Sequence, residues 1–141
     1  MSTGIDRARE DLFAAHLLAT TQFAAQAVGL AHHAALEAAD AALFALDRVS
    51  PPEPAAMLAA FLRHVVRERG LDPMAGRLLR SLHNRAALAL DDSAVPPDEG
   101  HHAIADATTV VDAVDDWLTH SEFVTIARAA RNVRPARRRR R

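Results

Sequence analysis

The stretch LLRSLHNRAALALDD, residues 78–92, gathers Arg80, His83, Asn84 and Arg85 within two helical turns. A histidine can move a proton near neutral pH and an arginine can stabilise negative charge, so the two side by side could serve acid–base chemistry on a phosphate ester such as that of RNA. At a three-residue spacing Arg80 and His83 lie side by side on a helix, with Asn84 next to them. The same residues also suit a solvated helix face opposite a Leu78/Leu82 core stripe. Arg85 falls at the edge of that stripe, where the stem of an arginine covers apolar surface while its head stays in water.

Other constellations are weaker. Arg77 and His83 stand six apart, which at ~100° per residue leaves them about 120° apart and off a common face. Arg9 and His16, seven apart, share a face, but His16 falls on the Ile5/Leu12 stripe and reads as a partly buried histidine with a hydrogen-bond partner. His33, Glu37 and Asp40 share one face of a helix, as do Asp98, His102 and Asp106, each at a spacing compatible with metal ligation. A di-iron carboxylate bundle needs a Glu-x-x-His pair on two helices plus two further Glu, and Glu99 to His102 alone has that form. Surface charge ladders explain both sets more cheaply, so no metal or other cofactor is expected. With no cysteine in the chain, and no serine in a strand–turn–helix context, nucleophilic catalysis is set aside.

The elements that must position these residues are all helical, because every long segment has helical period and none alternates as a strand does. A first helix is predicted from a Thr3 N-cap, with Asp6 in a capping box, to about Ala19, along the stripe Ile5, Ala8, Leu12, Ala15, Ala19. A second runs from about Phe23 to Arg48 through Val28, Ala31, Ala35, Ala39 and Leu43. So many alanines let a neighbouring helix approach closely. A third is predicted to start with Ser50 as its cap and Pro51 in the first helical position, and to stop at Gly70. Two more follow. One runs from about Asp72 to Leu90 with Met74, Ala75, Leu78, Leu82, Ala86 and Ala89 inward. The other follows the Pro-Pro loop with Ile104, Ala107, Val111, Val114 and Leu118 inward, and with Asp98 and Glu99 in its first turn, where the helix dipole favours anions. The expected fold is an all-α, antiparallel up-and-down bundle of four to five helices over residues 1–122.

Charge divides the chain sharply. All 17 basic residues are arginines and eight of them lie at 128–141, where no acid occurs, so the body carries −9 and the tail +8. Residues 123–141 are expected to form an Arg-rich, mostly disordered tail. In it Arg134 and Arg137, Arg138, Arg139, Arg140 and Arg141 would attract RNA, DNA or an acidic protein surface. Without interleaved aromatics such a tail supplies charge and no base reading. The start MSTGIDRAREDLF has neither the basic opening nor the apolar run of a signal peptide, and no apolar stretch reaches spanning length. A cytoplasmic protein without membrane contact is the expectation.

The order of the parts carries a resemblance. The hairpin with its Ala-rich second helix around LAHHAALEAADAALFAL, then the Pro-rich joint, then LLRSLHNRAALALDD and VPPDEGHHAIADATTVVDAVDDWL, together resemble the HEPN domain, the higher eukaryotes and prokaryotes nucleotide-binding fold. The resemblance spans roughly residues 6–120 and rests on pattern and order rather than an invariant motif. It implies a bundle that forms homodimers through its hairpin and late helices, with RNA binding or cleavage in many members. Several members pair with a small nucleotidyltransferase as toxin and antitoxin. Active members carry Arg, four to six residues, then His. Here Arg85 best matches the arginine, and Leu90, Asp91 and Asp92 stand where the histidine belongs. The expectation is therefore a binding or assembly module with a broken nuclease motif. Two alternatives stay open: a metal-independent ribonuclease toxin with a displaced pair such as Arg80 and His83, and an unrelated bundle that binds nucleic acid through its basic tail.

Overall fold

The computed structural model describes residues 3–91 and 95–120. Helix α1 spans Gly4–Ala19, α2 Ala24–Ala45, α3 Pro54–Ala60, α4 Pro73–Asp91 and α5 Glu99–His120, and α3 runs directly into π-helical turns over Phe61–Arg67. The protein is all-α, with no strand among the described residues. No described helix is long and apolar enough to cross a membrane. The tail arginines from Arg134 to Arg141 lie outside the described residues.

α1 begins as its sequence requires. The Thr3 hydroxyl accepts from the Asp6 N–H at 3.0 Å, and the Asp6 carboxylate accepts from the Thr3 N–H at 3.2 Å. Two of the four orphan donors of the helix end are thereby satisfied. The whole stripe Ile5, Ala8, Leu12, Ala15, Ala19 is buried. α2 turns back antiparallel along α1: Gly4 lies against Ala41, Arg7 against Glu37 and Asp11 against His33. A Cβ on Gly4 would lie 3.0 Å from the Ala41 Cβ, so a side chain there would require the crossing to open by a few tenths of an ångström.

α2 is the central element, packed against α1, α3, α4 and α5. It is buried well beyond the expected stripe, with Ala27, His32, Ala34, Ala38 and Ala45 also inside. α5 starts beside the start of α2, where Gly100 would meet Ala27 and Ala19 if it carried a Cβ, at 3.1 and 3.2 Å. The far end of α5, at Leu118 and Thr119, reaches Ala41, Phe44 and Ala45. α2 and α5 are therefore parallel, with α1 and α4 antiparallel to both. In a square up-and-down bundle this parallel pair would be a diagonal held apart by core side chains. Alanine on α2 removes that spacer, and the diagonal closes into direct contact with Val110, Val111 and Val114 of α5 in the core.

The joint differs from its sequence reading. The third helix starts at Pro54 behind Glu53, not at Pro51 behind Ser50, because the Ser50 hydroxyl is committed to the Asp40 carboxylate and Pro54 takes the first turn. The π-helical turns bury Phe61 and Val65 and end at Arg67, and the turn that follows closes at Gly70, whose φ of +75° suits glycine. The Leu71 N–H reaches back to the Val65 carbonyl at 3.2 Å, and Trp117 donates from Nε1 to the Arg69 carbonyl at 3.2 Å, which fixes the entry to α4.

α4 is rotated from its expected facing. Ala75, Leu82 and Ala86 are buried as anticipated, but Leu78 and Ala89 are half-buried and Met74 is 45% exposed, while Leu79 is fully buried. The helix packs against both α2 and α5, and Leu79 is fully buried in the core. Its burial contributes about 2 kcal/mol.

Candidate functional site

The rotation of α4 decides where its polar residues go. Arg80 and Asn84 are exposed, whereas His83 is half-buried and turned against α2. Its ring lies 5.5 Å, centroid to centroid, from that of His32 and is tilted 60° to it. The His32 Nε2 and His83 Nδ1 atoms are both buried without a hydrogen-bond partner. His32, 8% exposed, has its pKa pushed down to about 4, first by burial and then by the neighbouring His83 and His33. Both rings thus face a nearly dry interface rather than the outer surface on which Arg80 lies.

Arg85 joins α4 to α5. Its Nη1 donates to Asp106 at 2.7 Å and to Ser81 at 3.3 Å, while Nε and Nη2 each donate to Glu99 at 3.2 Å in a forked pair. Burial opposes its charge, but the hydrogen bonds to Glu99 and Asp106 outweigh that and raise its pKa. Glu99, which the sequence places in the first turn of α5, therefore anchors the preceding helix as well as facing its own dipole. Two of the three acceptors, Asp106 and Glu99, were weighed as metal ligands in the sequence, and both are here bound to an arginine.

The other Arg–His placements also resolve. Arg9 donates from Nη1 to Asp112 and from Nη2 to Asp115, both at 2.9 Å, and ties α1 to α5. His16 is exposed rather than partly buried, because Ala15 and Ala19 carry the apolar stripe through the last turn of α1. Its ring sits edge-on to that of His101, 5.7 Å away. Arg77 is exposed.

A second polar cluster lies on the α1–α2 face. His33 Nε2 is 3.8 Å from Asp11 Oδ2 and 3.9 Å from Glu37 Oε1, and these donor atoms all lie within 4.8 Å of one another. Asp40, grouped with His33 and Glu37 in the sequence, turns instead to Ser50. Asp11 takes its place from the neighbouring helix. Glu37 Oε1 is buried and without a hydrogen-bond partner. The Glu37 carboxyl is pushed up to about 8, by burial first and then by the adjacent Asp11, against the opposing pull of Arg7. The cluster opens on a groove of about 500 Å³ that Arg7, Asp40, Ser50 and Pro51 also line.

Asp11 and His32 were not singled out in the sequence. Asp11 was legible through the register of the α1–α2 hairpin, and His32 was not, since its burial depends on α4. Comparison with protein-family models, curated proteins and solved structures finds no match to this chain.

Proposed function

We propose that this chain is a HEPN-like helical-bundle binding and assembly module that acts as a homodimer and does not cut RNA. The observation that carries this reading is the fate of the nuclease candidates. Arg85 spends its donors on Glu99, Asp106 and Ser81 within its own chain, so its guanidinium is not offered to a phosphorane. His83 is turned to His32 while Arg80 lies outside, so the displaced pair does not converge on one phosphodiester. A general acid–base and a charge stabiliser must reach the same reacting group.

Assembly is supported by the outward face of α1. There Phe13 is 67% and Leu17 53% exposed, one turn apart on a hairpin helix. On this reading the tail arginines Arg134 and Arg137 to Arg141 supply RNA association, and a small nucleotidyltransferase is the partner that the resemblance implies.

The test joins two measurements on the full chain. Purified protein is incubated with a mixed RNA pool in EDTA, beside an Arg80→Ala/His83→Ala variant, and its mass in solution is read by light scattering. The expected result is no cleavage by either form and a dimer that Leu17→Glu converts to monomer. Metal-independent cutting that disappears in the double variant would overturn the module reading in favour of a ribonuclease. A monomer at all concentrations would remove the assembly role.

A further inference from the structure

The geometry points to a divalent-cation site of the zinc class formed by Asp11 on α1 with His33 and Glu37 on α2. The donor set is one imidazole and two carboxylates, which suits Zn²⁺ and neighbouring first-row ions. His33 and Glu37 are one helical turn apart and face the same way, and the antiparallel register delivers Asp11 opposite them. Around a tetrahedral zinc with bonds of ~2.1 Å, two donors stand about 3.4 Å apart. The distances of 3.8 and 3.9 Å from His33 Nε2 to the two carboxylates exceed this by only a few tenths of an ångström. Small side-chain rotations close that gap.

Several independent observations support a ligand here rather than a surface charge ladder. Glu37 Oε1 is fully buried yet lacks a hydrogen-bond partner. An unsatisfied buried carboxylate oxygen is costly. The Glu37 and Asp11 carboxylates stand close together beside His33, a like-charge crowding that a divalent ion would relieve. Among the described residues the arginine paired with Glu37 is Arg7, at 3.7 Å and with a side chain 57% exposed, which is free to swing into water. Three protein donors leave a coordination position toward the groove lined by Ser50 and Pro51, where water or an anionic group can complete the shell. The ion would clamp α1 to α2 at mid-length.

The experiment uses the tag-free, full-length chain, stripped of metal and titrated with Zn²⁺ in competition with a chromophoric chelator. Three variants are titrated beside it: His33→Ala, Glu37→Gln and Arg7→Ala. His33 is 61% exposed in its side chain, and Glu37→Gln keeps shape while removing the crowded charge, so both leave the fold in place. The expected result is one saturable equivalent per chain, with affinity reduced about tenfold or more in His33→Ala and in Glu37→Gln. Arg7→Ala binds more tightly. Because His102 beside Glu99 and His120 beside Asp116 could attract zinc at the surface, a His102→Ala/His120→Ala variant is run as well and should bind as the wild type does. Absence of a saturable equivalent overturns the proposal, as does affinity that is unchanged in either His33→Ala or Glu37→Gln. The readout is binding alone, so the result stands apart from that of the RNA assay.

Discussion

Acidification should destabilise this protein through one buried histidine. His32 is 8% exposed against α4, and its pKa lies at about 4 in the folded chain, against 6.5 for the free side chain. Between those values the unfolded chain binds a proton that the folded chain refuses, so stability falls as pH drops from about 6.5 to about 4. A separation of some 2.5 pH units at about 1.4 kcal/mol each gives a loss of about 3 kcal/mol once pH 4 is reached. That is a large share of the ~5–15 kcal/mol that holds a typical domain folded. Carboxylates also titrate in this range, so the measurement is a difference. Urea unfolding of the wild type and of His32→Leu is followed at pH 7, 6, 5 and 4. Leucine fills a similar volume and cannot be protonated. The gap between the two proteins should move by about 3 kcal/mol in favour of the variant from pH 7 to pH 4. Curves that run parallel across that range would refute the reasoning, because they would mean that His32 accepts its proton in place.

Two further outcomes test the frame around the site. Arg85→Ala strands Glu99 and Asp106 beside each other, each about a third exposed or less. It should cost about 2 kcal/mol in urea unfolding at low salt and less at 1 M salt, where the two carboxylates are screened. An unchanged midpoint would show that Arg85 does not tie α4 to α5. Gly100→Leu drives a side chain between α5, Ala19 and Ala27, where even a Cβ meets contacts of 3.1 and 3.2 Å. It should lower stability by about 1–3 kcal/mol, read as a drop in thermal midpoint, and a variant as stable as wild type would show that α5 does not approach the α1–α2 turn so closely.

How much of this was legible beforehand depended on how local each feature is. The Thr3–Asp6 cap involves residues three apart, and the α1 stripe repeats at three- and four-residue steps within one helix, so sequence alone determined both, along with the all-α class and the positions of the main helices. The α1–α2 register was legible as well. A short turn centred near residue 22 means that the numbers of facing residues add to 44 or 45, as Gly4 with Ala41, Arg7 with Glu37 and Asp11 with His33 do. Applied to the His33–Glu37 face, that rule would have supplied Asp11 in place of Asp40.

Only the tertiary structure decided the rotation of α4, and with it the candidate site. Which arc of a helix is buried is set by where its neighbours stand. The closing of α2 onto α5 through alanine moved that position, brought Leu79 into the core and left Met74 outside. The same turn carried His83 inward to His32 and left Arg80 on the surface. The fate of Arg85 likewise depended on Glu99 and Asp106, 14 and 21 residues away, which no helical periodicity connects to it. Local spacing specifies which residues share a face of one helix; which of those faces water is specified by packing against the rest of the bundle.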